Sequence, residues 1–407
     1  MQKQIIPSVD FRKRLRERGG DTAARCYQCA TCTSVCELTT EGSLFPRSQM
    51  LKSQWGLADE LVGDPGVWLC HQCNDCTVRC PRDAKPGDVL QTIRSLAIEE
   101  LSVPRFMGRL VGEAGRSWPL LLGLPILLWI GIIFMDNGFT VPEPTNQKII
   151  HAGADISLVD TAYAQHEEHA AAADHHGVQF VEGDETRLIY EELVPHKYIY
   201  IVFSTAFFLA LFAALAGAVK FWKLLGRHGG RKGSFIGNFL PVFGEIASHK
   251  RFGSCETNSS RRWAHFCVLW GFLGAAFASG LLVISLYIAK DPLPLAQTHP
   301  YKIIGNISMV LLVVGSLWLL YTRLTAPVKA GVSRAYDNFF LSVVVLVILT
   351  GTLTELGAFV FPPLVASIIY VLHLGSILTM FLTVPFSKFA HMVYRTLAMV
   401  HERMAAA

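Results

Sequence analysis

Six apolar runs dominate what this chain can become. They cover residues 118–135, 198–219, 263–289, 303–321, 339–360 and 364–383, and each is close to the ~20 residues an α-helix needs to cross a hydrocarbon layer ~30 Å thick. In that solvent every backbone amide must find its partner within its own segment, so a helix is predicted for each run. Composition agrees: 51% of the 407 residues are hydrophobic, too many for an ordinary soluble domain, while the beginning of the chain carries a normal load of charge. The chain therefore divides into a polar part, residues 1–115, and a membrane part, residues 116–407. The expected fold class is mainly α: an α-helical ferredoxin-like module followed by a six-helix transmembrane bundle.

Net charge is a mild +4, and no Lys/Arg cluster interleaves with aromatic residues, which excludes a nucleic-acid surface. The basic residues follow the spans instead. KFWKLLGRHGGRKGSF after the second run, TRLTAPVKAGVSRAYDN after the fourth and KFAHMVYRTLAMVHER at the end are rich in Lys and Arg, and the alternate connections are not. By the positive-inside rule both termini are expected in the cytoplasm of a multi-pass inner-membrane protein. MQKQIIPSVDFRKRLRERGGD lacks the apolar centre of a signal peptide, in keeping with that orientation. The long connection 138–196 then lies outside, and its HEEHAAAADHH tract reads as a solvated segment in preference to a metal site.

Eight of the ten cysteines fall in two copies of C-x2-C-x2-C-x3-C, RCYQCATCTSVC from Arg25 and LCHQCNDCTVRCP from Leu69. A reducing compartment argues against a disulfide framework, and a third cysteine at x2 with a fourth at x3 is not the spacing of structural zinc. Three closely spaced thiolates suit three corners of a 4Fe-4S cubane, with the fourth reaching the other cluster. By that cross-over Cys26, Cys29, Cys32 and Cys80 hold one cluster, and Cys70, Cys73, Cys76 and Cys36 the other.

Ionisable residues in or beside a span are costly and point to function. His373 and His391 are taken to lie on one continuous last helix; eighteen residues apart, they share a face and stand ~27 Å apart along the axis, a spacing for two hemes stacked across a bilayer. His265, opening the third run, pairs with His391 as axial ligands of a low-spin heme b, with Arg261, Arg262, Lys388 or Arg395 for the propionates. Snorkelling or helix-packing histidines are the ordinary alternatives. For a second heme the third run offers Ala275 where a histidine is needed, so an outer heme is five-coordinate, draws on His299 or His196, or is absent. Glu355, near the outer end of the fifth run, is the quinone-site candidate, with Tyr301 and Lys302 at similar depth. Cys267 reads as a packing thiol and Cys255 as a lone loop thiol.

The cysteine runs resemble those of the C-type iron-sulfur subunits of heterodisulfide reductases. The stretches HKRFGSC…RRWAHFCVLWGF and HLG…VPFSKFAH resemble the cytochrome b subunit of the membrane-bound form of those enzymes, itself similar to the nitrate reductase gamma subunit. Their fusion resembles the C-type subunits of the quinone-interacting membrane-bound oxidoreductase (Qmo) complexes of sulfate reducers. That resemblance implies the eight cysteines as cluster ligands and His265, His373 and His391 as heme ligands; Ala275 departs from the two-heme nitrate reductase pattern. It also implies menaquinone as substrate, flavin-containing heterodisulfide-reductase-A-like subunits as cytoplasmic partners, and adenylylsulfate reductase beyond them. The expected function is a membrane electron-transfer subunit of a quinone-linked oxidoreductase. The alternatives are the membrane subunit of a quinone- or phenazine-linked heterodisulfide reductase, and a redox sensor or anchor without turnover.

Overall fold

A computed structural model describes residues 6–39, 44–151, 178–253, 259–289, 291, 295–325 and 334–406. Cys255 and the HEEHAAAADHH tract lie outside these residues. The described chain is mainly helical. Its N-terminal module contains α1 (Val9–Leu15), α2 (Thr31–Ser34), α3 (Arg47–Trp55), α4 (Ala58–Val62), α5 (Pro65–Leu69), α6 (Asp75–Val78), α7 (Pro86–Leu101) and α8 (Arg105–Gly112). The spans are α9 (Ala114–Asn137), α10 (His196–Leu225), α12 (Ser259–Ile284), α13 (Pro300–Thr325), α14 (Ala335–Val360) and α15 (Pro363–Thr383); α11 (Phe235–Ala247) and α16 (Ala390–Ala406) complete the set. Among the described residues six helices are long and apolar enough to cross a membrane, and each contains or closely overlaps one of the six runs.

The helices overshoot the runs because their ends are polar yet still helical. α12 and α13 meet along a seam of small residues. A Cβ on Gly271 would stand 2.7 Å from the Leu312 side chain, and one on Gly315 2.8 Å from the Ala264 carbonyl and 2.9 Å from Cys267 Cβ. Such contact lets two backbones approach where lipid offers no hydrophobic drive. Cys267 therefore packs a helix, as a small thiol there should.

One expectation is corrected. The last span does not run on unbroken from His373 to His391: α15 stops at Thr383, a tight turn covers Val384–Phe386, and Ser387 is extended at φ −104°, ψ −171°. Pro385 has no N–H to donate and its ring crowds the preceding turn. The eighteen-residue spacing therefore no longer counts turns on a single axis.

Two features carry no clear signal in the sequence pattern. The long outer connection contains an antiparallel pair, β1 (Thr145–His151) with β2 (Val178–Arg187). The basic connection after α10 holds α11, with Phe235, Ile236, Leu240 and Phe243 exposed.

The module is centred on α7, whose Val89, Leu90, Ile93, Leu96 and Leu101 are almost fully buried with Phe11, Met50 and Leu61. This core continues into the bundle without a gap. Trp68 of α5 packs at 4.8 Å, centroid to centroid, on Tyr394 of α16 and at 5.7 Å on Phe221 of α10. Polar ties reinforce the joint: Asp337, 3% exposed at the start of α14, takes Lys388 at 2.6 Å and Gln91 of α7 at 2.7 Å. The module thus caps the bundle end that also carries the basic connections.

Candidate redox centres

The two cysteine runs fold into copies of one local structure. In each, the residue before the second cysteine and the residue after it adopt positive φ: Gln28 (61°) and Ala30 (68°) in the first, Gln72 (55°) and Asn74 (64°) in the second. Non-glycine residues rarely visit this region, so its recurrence at matched positions marks a required curl. A one-turn helix follows in each copy, α2 and α6. N–H donors reach sulfur in both runs: the Gln72 amide donates to Cys70 Sγ, the Ala84 amide to Cys80 Sγ and the Gln28 side chain to Cys26 Sγ, each at 3.4 Å.

The thiols gather across the copies. Cys26, Cys29, Cys32 and Cys80 line one cavity, and Cys36, Cys70, Cys73 and Cys76 line another. Burial pushes the Cys36 thiol up to about 11. Burial, then the neighbouring thiols, push Cys76 well above its ordinary value. Cys29 is exposed, and hydrogen bonds from Thr31 hold it below the ordinary thiol value. Thiols crowded around a shared cavity disfavour their own ionisation unless positive iron is present to bind thiolate, and N–H···S bonds are the usual support of such a site. The residues fit two 4Fe-4S clusters.

At the joint with the bundle, the rings of His265 and His391 are 6.4 Å apart between centroids. Two imidazoles ligating one metal from opposite sides, with bonds of about 2 Å, have ring centres separated by roughly that distance. Both Nδ1 atoms are already engaged. That of His391 contacts the Lys388 carbonyl, and that of His265 lies 2.9 Å from Nε2 of His249. Ligating histidines require their other ring nitrogen to be held in this way. The residues fit a bis-histidine heme. His249, 4% exposed, was missed by sequence reasoning: it lies in a turn after α11, where no helical register links it to His265.

The four residues assigned to heme propionates have protein partners. Arg395 donates to the Cys70 carbonyl at 3.0 Å and contacts His71 Nδ1 at 3.1 Å; Arg261 donates to the Gln72 carbonyl at 3.3 Å. Arg262 donates to the Ser248 carbonyl at 3.2 Å, and Lys388 is paired with Asp337. Burial first, then Arg395, Arg251 and Arg94, hold His71 down at about 4, so it is neutral at the joint.

The outer candidates are dispersed. His373 Nδ1 is 3.1 Å from the Thr350 hydroxyl, and a Cβ on Gly351 would stand 2.8 Å from its ring. Nδ1 of His299 accepts from the Tyr301 amide at 3.4 Å, and its Nε2 is 3.9 Å from Asp291. His196 Nδ1 is 2.8 Å from Glu191. None of these described contacts joins His373 to a second imidazole. Glu355 and Lys302 do come together, at 2.6 Å, with Gln297 on the other carboxylate oxygen at 2.7 Å and Asn306 on Gln297 at 3.0 Å. Tyr301 packs against the His299 ring at 4.8 Å.

Comparison with known proteins follows the same division. The 4Fe-4S dicluster domain family matches residues 22–84. The C-type subunit of the H(2):CoB-CoM heterodisulfide,ferredoxin reductase of Methanothermobacter thermautotrophicus is 36% identical over 114 residues, 27% of this chain and 62% of that protein. A protein of Archaeoglobus profundus described as like the C-type subunit of heterodisulfide reductase is 36% identical over 122 residues, 27% of this chain and 65% of its own. The chain thus spans just under two thirds of the length of these relatives. Its cysteine module is like the C-type iron-sulfur subunit of heterodisulfide reductases and is joined here to membrane-type helices. Citrate utilization protein B of Escherichia coli is 23% identical over 388 residues, 91% of this chain and 87% of that protein. No solved structure matches significantly. The citrate utilization protein B family matches residues 186–407, more than half of the chain, and the chain belongs to that family.

Proposed function

We propose that this chain is the membrane electron-transfer subunit of a quinone-linked oxidoreductase complex, carrying electrons between the menaquinone pool and cytoplasmic flavin-containing, heterodisulfide-reductase-A-like subunits. The observation that carries this reading is the stacking of three candidate redox sites at one end of the bundle. The paired histidines stand one helical turn from Arg395 and Arg261, which donate to the Cys70 and Gln72 carbonyls at the edge of the Cys36/Cys70/Cys73/Cys76 cavity, and the Cys26/Cys29/Cys32/Cys80 cavity belongs to the same module. Heme b and the two clusters, when bound, supply one-electron chemistry, and the protein supplies their spacing and potentials. In this reading Glu355 accepts a quinol proton, and its contact with Lys302 supports the assignment by holding the carboxylate. His373 lies on the neighbouring α15 and His299 beside Tyr301, as residues of an outer quinone or second heme region.

The orientation proposed puts the cysteine module and both termini in the cytoplasm, because the module caps the end where Lys and Arg concentrate. In the form resembling the complexes of sulfate reducers, the electrons pass on to adenylylsulfate reductase. The 91% coverage by a citrate utilization protein favours a second reading of the destination, in which the same wire serves citrate utilization. The two readings differ in the flavoprotein that co-purifies.

The test is the iron and heme content of the detergent-solubilised chain, with optical and EPR spectra after dithionite and after menadiol. Two 4Fe-4S signals and a low-spin b heme, all reducible by menadiol, are expected. A chain without heme removes the cytochrome reading and leaves clusters on a membrane anchor.

A further inference from the structure

The Cys70–Gln72 loop is gripped by three guanidinium groups from three different helices. Arg94 of α7 donates to the carbonyls of Val67 (2.6 Å) and Cys70 (2.5 Å). Arg395 of α16 donates to the Cys70 carbonyl and touches His71, and Arg261 of α12 donates to the Gln72 carbonyl. Arg395 follows His391 by one helical turn and Arg261 precedes His265 by one turn. Both helices that carry the paired histidines thus reach the same cysteine loop from an adjacent turn.

The other cavity has a different setting. The two arginines that line it belong to the module itself: Arg47 is half-buried and donates to the Gln28 side chain at 3.2 Å, and Arg82 is exposed and lies 4.1 Å over the ring of Tyr27, itself 69% exposed. Cys29 is exposed. One site is pinned to the bundle; the other looks outward.

Resting on the electron-transfer reading above, we infer that the Cys36/Cys70/Cys73/Cys76 site is the membrane-side member of the pair and the Cys26/Cys29/Cys32/Cys80 site the outer one, with Arg395 and Arg261 as positioning residues that couple the histidine helices to the inner site. Electron order is therefore histidine pair, inner cluster, outer cluster. One menadiol yields menadione, two protons and two electrons, which suffices to reduce each cluster by one electron. The guanidinium charge also stabilises the more negative, reduced form of the inner cluster, more strongly at this half-buried joint than in water. The carboxylates of Glu37 and Asp75, which line the same cavity, oppose it.

Single-cluster variants of the full chain test the order. In Cys29→Ser, menadiol should still reduce the remaining inner cluster. In Cys73→Ser, the outer cluster should be reducible by dithionite, yet its reduction by menadiol should slow at least tenfold. Outer-cluster reduction at the parental rate in Cys73→Ser overturns the order. If menadiol reduces no cluster in the unaltered chain, the electron-transfer reading itself fails. Where a cysteine variant does not accumulate, Arg395→Gln serves: with iron and heme retained, EPR titration should show one cluster shifted to lower potential and the other unmoved. Unchanged potentials for both overturn the coupling.

Discussion

Nε2 of His249 stands 2.9 Å from Nδ1 of His265, so the ring of a candidate axial ligand is oriented by a residue outside the spans. Burial lowers the pKa of His249 below that of an ordinary imidazole, which keeps it neutral and able to accept the His265 N–H. His249→Ala is expected to weaken heme retention about tenfold or more, as loss of a ligand's supporting hydrogen bond does, and to alter the low-spin EPR signal. His249→Gln, which keeps an acceptor, should restore much of both. Heme titration of the purified variants decides.

Glu355 and Lys302 form an ion pair at the end of the bundle away from the cysteine module. Glu355→Gln removes the proton acceptor, and menadiol oxidation should fall by about 10²-fold, the usual scale for loss of a general base, with heme and iron unchanged. Oxidation at the parental rate removes Glu355 from the quinone site.

Asp337 joins Gln91, Lys388 and the first turn of α14. Asp337→Ala leaves Lys388 without its counter-charge; removing one member of a fully buried pair costs about 3–5 kcal/mol, and the loss here is smaller because the Lys388 side chain is 34% exposed. Thermal unfolding in detergent should show it. Asp337→Asn, which keeps the shape but not the charge, should recover only part.

At Gly87 a Cβ would collide with the Asn74 side chain, and its amide donates to Thr77 at 2.9 Å. Gly87→Ala should therefore push α7 away from the second cysteine run, at about 1–3 kcal/mol. The iron signal of the Cys36/Cys70/Cys73/Cys76 site should weaken before that of its neighbour.

Acid stability turns on Glu100. Burial raises its pKa, but the hydrogen bond from Arg14 and the charges of Arg105 and Arg14 outweigh burial and hold the carboxyl below its ordinary value. Arg14 is 2.7 Å away and Arg105 2.5 Å. The folded state thus binds fewer protons than the unfolded chain near that value, so the contribution is present above about pH 4.3 and is lost as pH falls through the lower folded value. Glu100→Gln should flatten the acid limb of the unfolding profile and leave its neutral region nearly level.

The helices were legible because a run of apolar residues in lipid has few ways to satisfy its amides, and the gathering of thiols because three of them at x2 spacing leave the fourth facing elsewhere. The break at Pro385 was also in view, in VPFSKF, but the apolar pattern on either side suggested continuity. The roles of Arg261 and Arg395 were not legible. Charge alone pointed to a propionate, whereas Arg395 and Cys70 are 325 residues apart in sequence and meet only because the module folds back onto the bundle. His249 had the same difficulty: its relation to His265 crosses a turn and has no periodicity to betray it.

Helix α11 gives that arrangement an unusual dependency. Phe235, Ile236, Leu240 and Phe243 are exposed, a set suited to the boundary between headgroups and acyl chains. At its far end, Glu245 is tied to Arg251 and Arg403, and His249 follows four residues later. With α11 seated at that boundary, the surroundings of one imidazole would be anchored partly in the lipid. A detergent that solvates all six spans but serves this face poorly should loosen the support of His265 before any span unfolds, and the choice of amphiphile then becomes a redox variable.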